Sequence, residues 1–287
     1  MQLAETHYAI KQEKPIRFQE YGVGVFKTIP TKSGIKKAIK KEFIFIDGVL
    51  ATTSKYISGG EKIELFEAEN SPIFERLQLN LEVLFEDDYL AIIYKPAGIL
   101  VSGNKFVTIA NGLTQNLIKS NQPDAVRPQP IHRLDYPTSG ILLIGKTSSS
   151  INALSALFKN KEIQKTYFAI TIGEMKENGK MNFPVDEKIT LTQFELLQTV
   201  VSKRFTRLNL VKLNPKTGRK HQLRKHLSSI GNPILGDKEY FKEGLVLNGR
   251  GLYLHASALD FIDPFTKDTI SITKENPKKF TTIFPDF

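Results

Sequence analysis

The chain has 287 residues and 40% hydrophobic content, enough for a real core in one large domain or two unequal ones. Forty Lys and Arg stand against 30 Asp and Glu, a net charge of +10 that favours a polyanionic partner, either nucleic acid or an anionic membrane surface. There is no cysteine, which excludes disulfides, thiolate metal sites and a Cys nucleophile and fits a reducing compartment. Residues 1–14 are polar, so no signal peptide is expected, and no apolar segment is long enough to span a bilayer; a cytoplasmic protein is the expectation.

In chain order, residues 1–14 read as a loose polar lead-in. Within 16–66, Ser33 is a reasonable N-cap for a helix with Ile35, Ala38 and Ile39 on one face. Lys36, Lys37, Lys40 and Lys41 fill the other face. On its own, such a face is an ordinary solvated surface. A strand over 43–46 runs into an Asp47-Gly48 turn, and further short strands are expected over 52–57 and 62–66, with Gly59-Gly60 between them. Residues 67–81 are polar with one proline and read as a linker.

The composition then changes. Residues 83–94 read as strand, acidic turn, strand, closed by Lys95-Pro96-Ala97-Gly98. A Pro-rich approach over 121–130 leads to a polar decapeptide, Ile131-His132-Arg133-Leu134-Asp135-Tyr136-Pro137-Thr138-Ser139-Gly140. Tyr136 precedes a proline, so it is kept out of the helical region, and the last three residues are turn formers. The apolar run 141–144 that follows marks a strand buried on both faces, which would hold the loop rigidly. The carboxylate of that loop is Asp135, and by itself it could be no more than a turn residue. Thr147 and Ser148 can cap a packing helix with a stripe of Ile151, Leu154, Leu157 and Phe158. Strands are expected over 165–170 and 205–213, whereas 174–202 is less legible. A helix follows with Leu223, Leu227 and Ile230 on its buried face and Gly231 just past its end. Arg219, Lys220, Arg224 and Lys225 lie around it and could be simply a basic solvent face. A hairpin with a Pro turn closes the chain.

Three of these segments together resemble the RluA-class pseudouridine synthases. His-Arg-Leu-Asp at 132–135, then Thr-Ser-Gly and an apolar strand ending in Lys146-Thr147, is similar to that family's signature. Lys165-Thr166-Tyr167-Phe168-Ala169 is similar to its Lys-x-Tyr-x-Ala segment. Gly218-Arg219-Lys220-His221-Gln222-Leu223-Arg224-Lys225-His226, followed by Gly231-Asn232-Pro233-Ile234-Leu235-Gly236-Asp237, departs mainly at Lys220, where the family usually has Thr. Tyr136-Pro137 is a second departure, since a basic or polar pair usually follows the Asp. The lysine helix and its turns resemble the small RNA-binding domain named after ribosomal protein S-four.

The resemblance implies an α+β chain: a small α+β RNA-binding domain over 16–66, a linker over 67–81, and over 82–287 a pseudouridine synthase catalytic domain of mixed, largely antiparallel sheet with flanking helices. It implies Asp135 as the catalytic nucleophile, Tyr167 beside it and Arg224 paired with it. Arg133 and His132 would bind the substrate, Arg133 filling the space that a flipped uridine leaves. Lys36, Lys37, Lys40, Lys41, Arg219 and Lys220 would contact ribosomal or transfer RNA. No cofactor, metal or membrane is implied, and the sequence offers no P-loop or dinucleotide fingerprint. Attack by Asp135 on uracil carbon-6 or ribose carbon-1′, and Tyr167 as stacking group or general base, stay open. The rival readings are a non-catalytic RNA-binding or ribosome-assembly protein on the same fold, and a hydrolase or transferase that uses Asp135 as nucleophile.

Overall fold

The structure, a computed structural model, describes every residue except Lys27, Pro30, 68–76, Lys242 and Asn248. The chain forms two compact units, Met1–Arg76 and Leu77–Phe287. Most of the expected linker, 68–76, lies outside the described residues.

The first unit contains β1 (Gln2–Tyr8), β2 (Ile16–Arg17), α1 (Phe18–Tyr21), α2 (Lys32–Lys40), β3 (Ile44–Ile46), β4 (Val49–Leu50), β5 (Tyr56–Ile57) and β6 (Lys62–Glu67). β1, β6, β3 and β4 form an antiparallel sheet in that order, and β2 pairs β5 separately. The expected lead-in is therefore wrong over 2–8, which is a strand on β6. Its side chains are exposed or half-buried, so it carries no apolar alternation to read. Asp47 and Gly48 both adopt positive φ, 52° and 77°, as a tight hairpin between β3 and β4 requires. The cap of α2 also differs from expectation. Thr31, not Ser33, accepts the hydrogen bond from the Gly34 N–H at 3.1 Å. Ile35 and Ala38 of α2 pack on Ile44, Ile57 and Ile63, while Lys36, Lys37, Lys40 and Lys41 stay exposed.

The second unit contains β7 (Val83–Glu86), β8 (Leu90–Lys95), α3 (Ile109–Asn116), β9 (Ala125–Pro130), β10 (Ser139–Thr147), α4 (Ser148–Asn160), β11 (Gln164–Ile172), β12 (Asn178–Met181), β13 (Thr192–Ser202), β14 (Thr206–Pro215), α5 (Gln222–Ser229), β15 (Leu254–Ile262), β16 (Thr269–Thr273) and α6 (Lys278–Thr281). The sheet runs β12-β13-β14-β11-β15-β10-β8-β7, with β16 on β15 and β9 on β10. Its pairs are antiparallel except β10 with β15. The fold is thus α+β, a mixed and largely antiparallel sheet with flanking helices.

All nine residues of β10 are buried, and the helices explain why. Leu142 and Ile144 pack with Ile109 and Leu113 of α3, whereas Ile141 and Leu143 pack with Leu154 of α4. A strand covered on both faces loses its alternation and reads as one apolar run. Burying each such aliphatic side chain is worth about 1.5–3 kcal/mol, so β10 is a firm mount for the loop that precedes it. Its start depends on Gly140, whose φ is 130° and where an added Cβ would lie 2.2 Å from the Ala256 carbonyl oxygen. Only glycine lets β10 approach β15 this closely. Thr147 and Ser150 cap α4 reciprocally. Two elements go beyond the sequence reading here. The Pro-rich approach contains an edge strand, β9, and α3 has no clear signal in the sequence, because its buried face is only Ile109, Gly112 and Leu113.

Candidate active site

The loop carrying Asp135 is pinned from several directions. The Ile131 N–H donates to the Leu143 carbonyl at 2.9 Å, and the Thr138 N–H closes a turn on the Asp135 carbonyl at 3.0 Å. The Gly98 N–H donates to the Tyr136 carbonyl at 2.8 Å. The buried Lys95 ammonium donates to the carbonyls of Thr138 at 2.7 Å, Pro96 at 3.0 Å and Tyr136 at 3.4 Å. Burial pushes the Lys95 ammonium down to about 8, against the pull of the Asp135 charge.

His132 belongs to the same anchorage. Its Nε2 accepts from the Leu143 N–H at 3.1 Å, and its ring lies 4.7 Å from that of Phe158. Burial first, then the Lys165 charge, lowers it to about 3, so it is neutral and suited to accept that bond. This bond helps to hold the loop, and half-buried His132 also lines a neighbouring cavity with Arg133. Arg133, beside it, is exposed and lines the same cavity as Asp135.

Tyr167 reaches this cavity along one row of the sheet. Gly140 at the start of β10 pairs with Ala256 of β15, which pairs with Tyr167 of β11. The β11–β15 register shifts between Thr166 and Tyr167. Such an irregularity re-aims a side chain, and here it sits at the residue that enters the site. Burial, and then the Asp135 charge, raise the Tyr167 phenol, so it is protonated at neutral pH.

Arg224 lies on the buried face of α5 and meets Asp135 through Nη1, while its fork grips Asp237: Nε and Nη2 donate to the two carboxylate oxygens at 2.7 Å each. Nη2 also donates to Glu239 at 3.1 Å. Nη1 has no hydrogen-bond partner and lies 3.8 Å from Asp135 Oδ2. Asp237 Oδ1 in turn accepts the N–H groups of Glu239 and Tyr240. Burial alone would raise the Asp237 carboxyl, but the Arg224 hydrogen bond and these two N–H groups hold it below its ordinary value. The Tyr240 ring covers the guanidinium at 5.0 Å.

His221 also enters the site, although its sequence position alone assigned it no role there. Its φ of 56° at the start of α5 turns the ring back, with Nε2 3.8 Å from Asp135 Oδ1 and Nδ1 3.0 Å from the Tyr240 hydroxyl. Burial lowers it despite the opposing pull of Asp135. His221 and Asp237 fall within a segment that resembles the family, and Lys95 closes the strand-turn-strand over 83–94. Their residue types carried a signal, but their partners are set by tertiary contacts alone.

Asp135, 17% exposed at its side chain, therefore faces a guanidinium and an imidazole and opens into a cavity of about 390 Å³. Arg133, Lys165, Tyr167, Arg219 and Lys220 also line it, so anionic ligands meet a basic mouth. His255, by contrast, is buried against Ser139 at 2.9 Å, and burial lowers it to about 4, as a packed structural histidine. Among the described residues no group of three or more His, Cys, Asp or Glu could hold a metal ion, and no helix is long and apolar enough to cross a membrane.

A family model described as RNA pseudouridylate synthase matches residues 89–229, which include Asp135, Tyr167 and Arg224. The tRNA pseudouridine synthase C of Pasteurella multocida is 34% identical over 222 residues, covering 68% of this chain and 90% of that protein. The ribosomal large subunit pseudouridine synthase D of Buchnera aphidicola is 32% identical over 280 residues, covering 86% of this chain and 87% of that protein. The solved structure of human RNA pseudouridylate synthase domain containing 4 aligns with a TM-score of 0.57 at 24% identity, covering 70% of this chain and 90% of that one, a likeness of fold.

Proposed function

Since the chain belongs to the RNA pseudouridylate synthase family and is an RNA-modifying isomerase, we propose that Asp135 is its nucleophile and that its substrates are uridines in ribosomal or transfer RNA. One observation carries this reading: Asp135 and Tyr167 open into one basic cavity while an uncommitted Arg224 Nη1 faces the carboxylate.

The reaction breaks the bond from ribose carbon-1′ to uracil N-1 and makes one to carbon-5 of the same base. Carbon-5 loses a proton and N-1 gains one, with no redox change. The target uridine leaves its stack to reach the cavity, at a cost of a few kcal/mol. Arg133, exposed at the rim, takes the vacated place, and Arg219 and Lys220 meet phosphates. Asp135 attacks as a carboxylate oriented by Arg224. Covalent attack consumes the Asp135 charge, which is one of the two causes raising Tyr167. Tyr167, a protonated phenol at neutral pH, thus stacks on the base first; loss of the Asp135 charge then eases release of its own proton, leaving the phenolate that can accept the carbon-5 proton.

The first unit binds RNA through the lysine face of α2, adding sequence-independent affinity. The working place is the cytoplasm, where these RNAs are found. The test is to delete the gene in its host and map pseudouridines by carbodiimide primer extension. Loss of one or a few sites, restored by the wild-type gene, is expected; persistence of every site would contradict the reading.

A further inference from the structure

A second cavity, of about 480 Å³, meets the first at His221, which lines both. Asp135 and Tyr167 are not among its lining residues, so it is not the place of the reacting uridine. Its exposed surface is mainly apolar, with Tyr136, Pro137 and Leu252 beside Gly98 and Gly251; Arg224, with Asp237 and Glu239 paired to it, forms the polar side. The exposed Lys238 stands at its edge.

Tyr136 is the residue next to Asp135 and is 54% exposed, so packing of the core does not account for its ring. Its backbone is nevertheless fixed, because its carbonyl accepts from the Gly98 N–H at 2.8 Å and from Lys95 Nζ at 3.4 Å. Pro137 stiffens the following position. A large aromatic face is thus presented at low entropic cost beside the nucleophile. It also falls where the sequence departs from the basic or polar pair usual in the family.

Resting on the reading of Asp135 as nucleophile, we propose that Tyr136 is a stacking platform for a nucleotide flanking the target uridine, and so a specificity-determining residue. The occupant follows from continuity and charge. With the uridine in the first cavity, the next nucleotide of the same strand is covalently held at the junction that His221 shares. Every base offers a π face to a tyrosine, and bases differ in stacking strength, which gives such a platform a modest preference among flanking bases. Lys238 is placed to meet the accompanying phosphate.

The test uses purified full-length protein and total RNA from a gene-deleted host, labelled with 5-tritiated uridine, with tritium release as the readout. Tyr136→Ala raises KM about 5- to 150-fold, the usual range for losing one base stack, with kcat and Tm retained. Tyr136→Phe restores KM. Pseudouridine mapping with Tyr136→Ala shows a broadened choice of flanking base. Wild-type KM and wild-type site choice in Tyr136→Ala would overturn the platform while leaving Asp135 untouched. Absence of tritium release by the wild type would overturn the Asp135 reading and the platform with it.

Discussion

Arg224 grips Asp237 with both arms of its fork at 2.7 Å and turns only Nη1 toward Asp135, at 3.8 Å. The guanidinium is thereby fixed by a partner other than the carboxylate that its Nη1 faces. A preorganised donor costs no rearrangement when charge shifts during reaction. It also leaves Asp135 free to move onto substrate without breaking a bidentate pair.

This arrangement predicts different effects for the two acids beside Arg224. Asp237→Asn takes from a buried guanidinium its buried, bidentate partner and lowers stability by about 3 kcal/mol, with a parallel loss of turnover. Glu239→Gln changes stability by less than about 1 kcal/mol, because the Glu239 side chain is 57% exposed. Denaturant unfolding of both variants checks this; equal effects would remove Asp237 as the holder of Arg224.

Arg224→Lys should be severely impaired even if folded, since a point charge cannot reproduce the fork on Asp237 and the third donor at Asp135 together. Turnover of the folded variant measures this, and near-normal turnover would refute the three-donor arrangement.

Lys95 supplies a pH signature. Its folded value of about 8 lies below its ordinary 10.5, so the folded state releases the proton first. Between about 8 and 10.5 the unfolded chain binds more protons, and this group's contribution to stability rises with pH. Turnover moves the other way, because the Asp135 loop loses its ammonium clamp above about 8. Lys95→Met removes both trends. Rate and melting profiles from about pH 7 to about pH 10 compare the two proteins; identical alkaline limbs would exclude Lys95 as the cause.

Charge reversal of Lys36, Lys37, Lys40 and Lys41 to Glu should weaken RNA binding and flatten its salt dependence, by about 0.7–0.9 in log–log slope for each phosphate no longer neutralised. Binding measured over a salt series decides; an unchanged slope would remove α2 from the RNA interface.

What the sequence disclosed follows from how local each feature is. The loop around Asp135 and the strand after it were legible because turn residues followed by four apolar ones is a local pattern. The lysine face of α2 was legible for the same reason. β1 was not, since its half-buried side chains show no alternation until β6 lies beside it. The role of Asp237 was hidden because its ion pair with Arg224 exists only after residues 13 apart have folded together. The anchoring bond of His132 was hidden as well, since it rests on the Leu143 N–H at 3.1 Å, 11 residues away. The Tyr167 row depends on a register shift that no periodicity predicts.

The central claim is that Asp135 is the nucleophile, and the most direct measurement is tritium release from 5-tritiated uridine RNA by purified Asp135→Asn beside the wild type. The account predicts that the variant binds this RNA with nearly wild-type affinity and releases no tritium. Appreciable release by Asp135→Asn would contradict it.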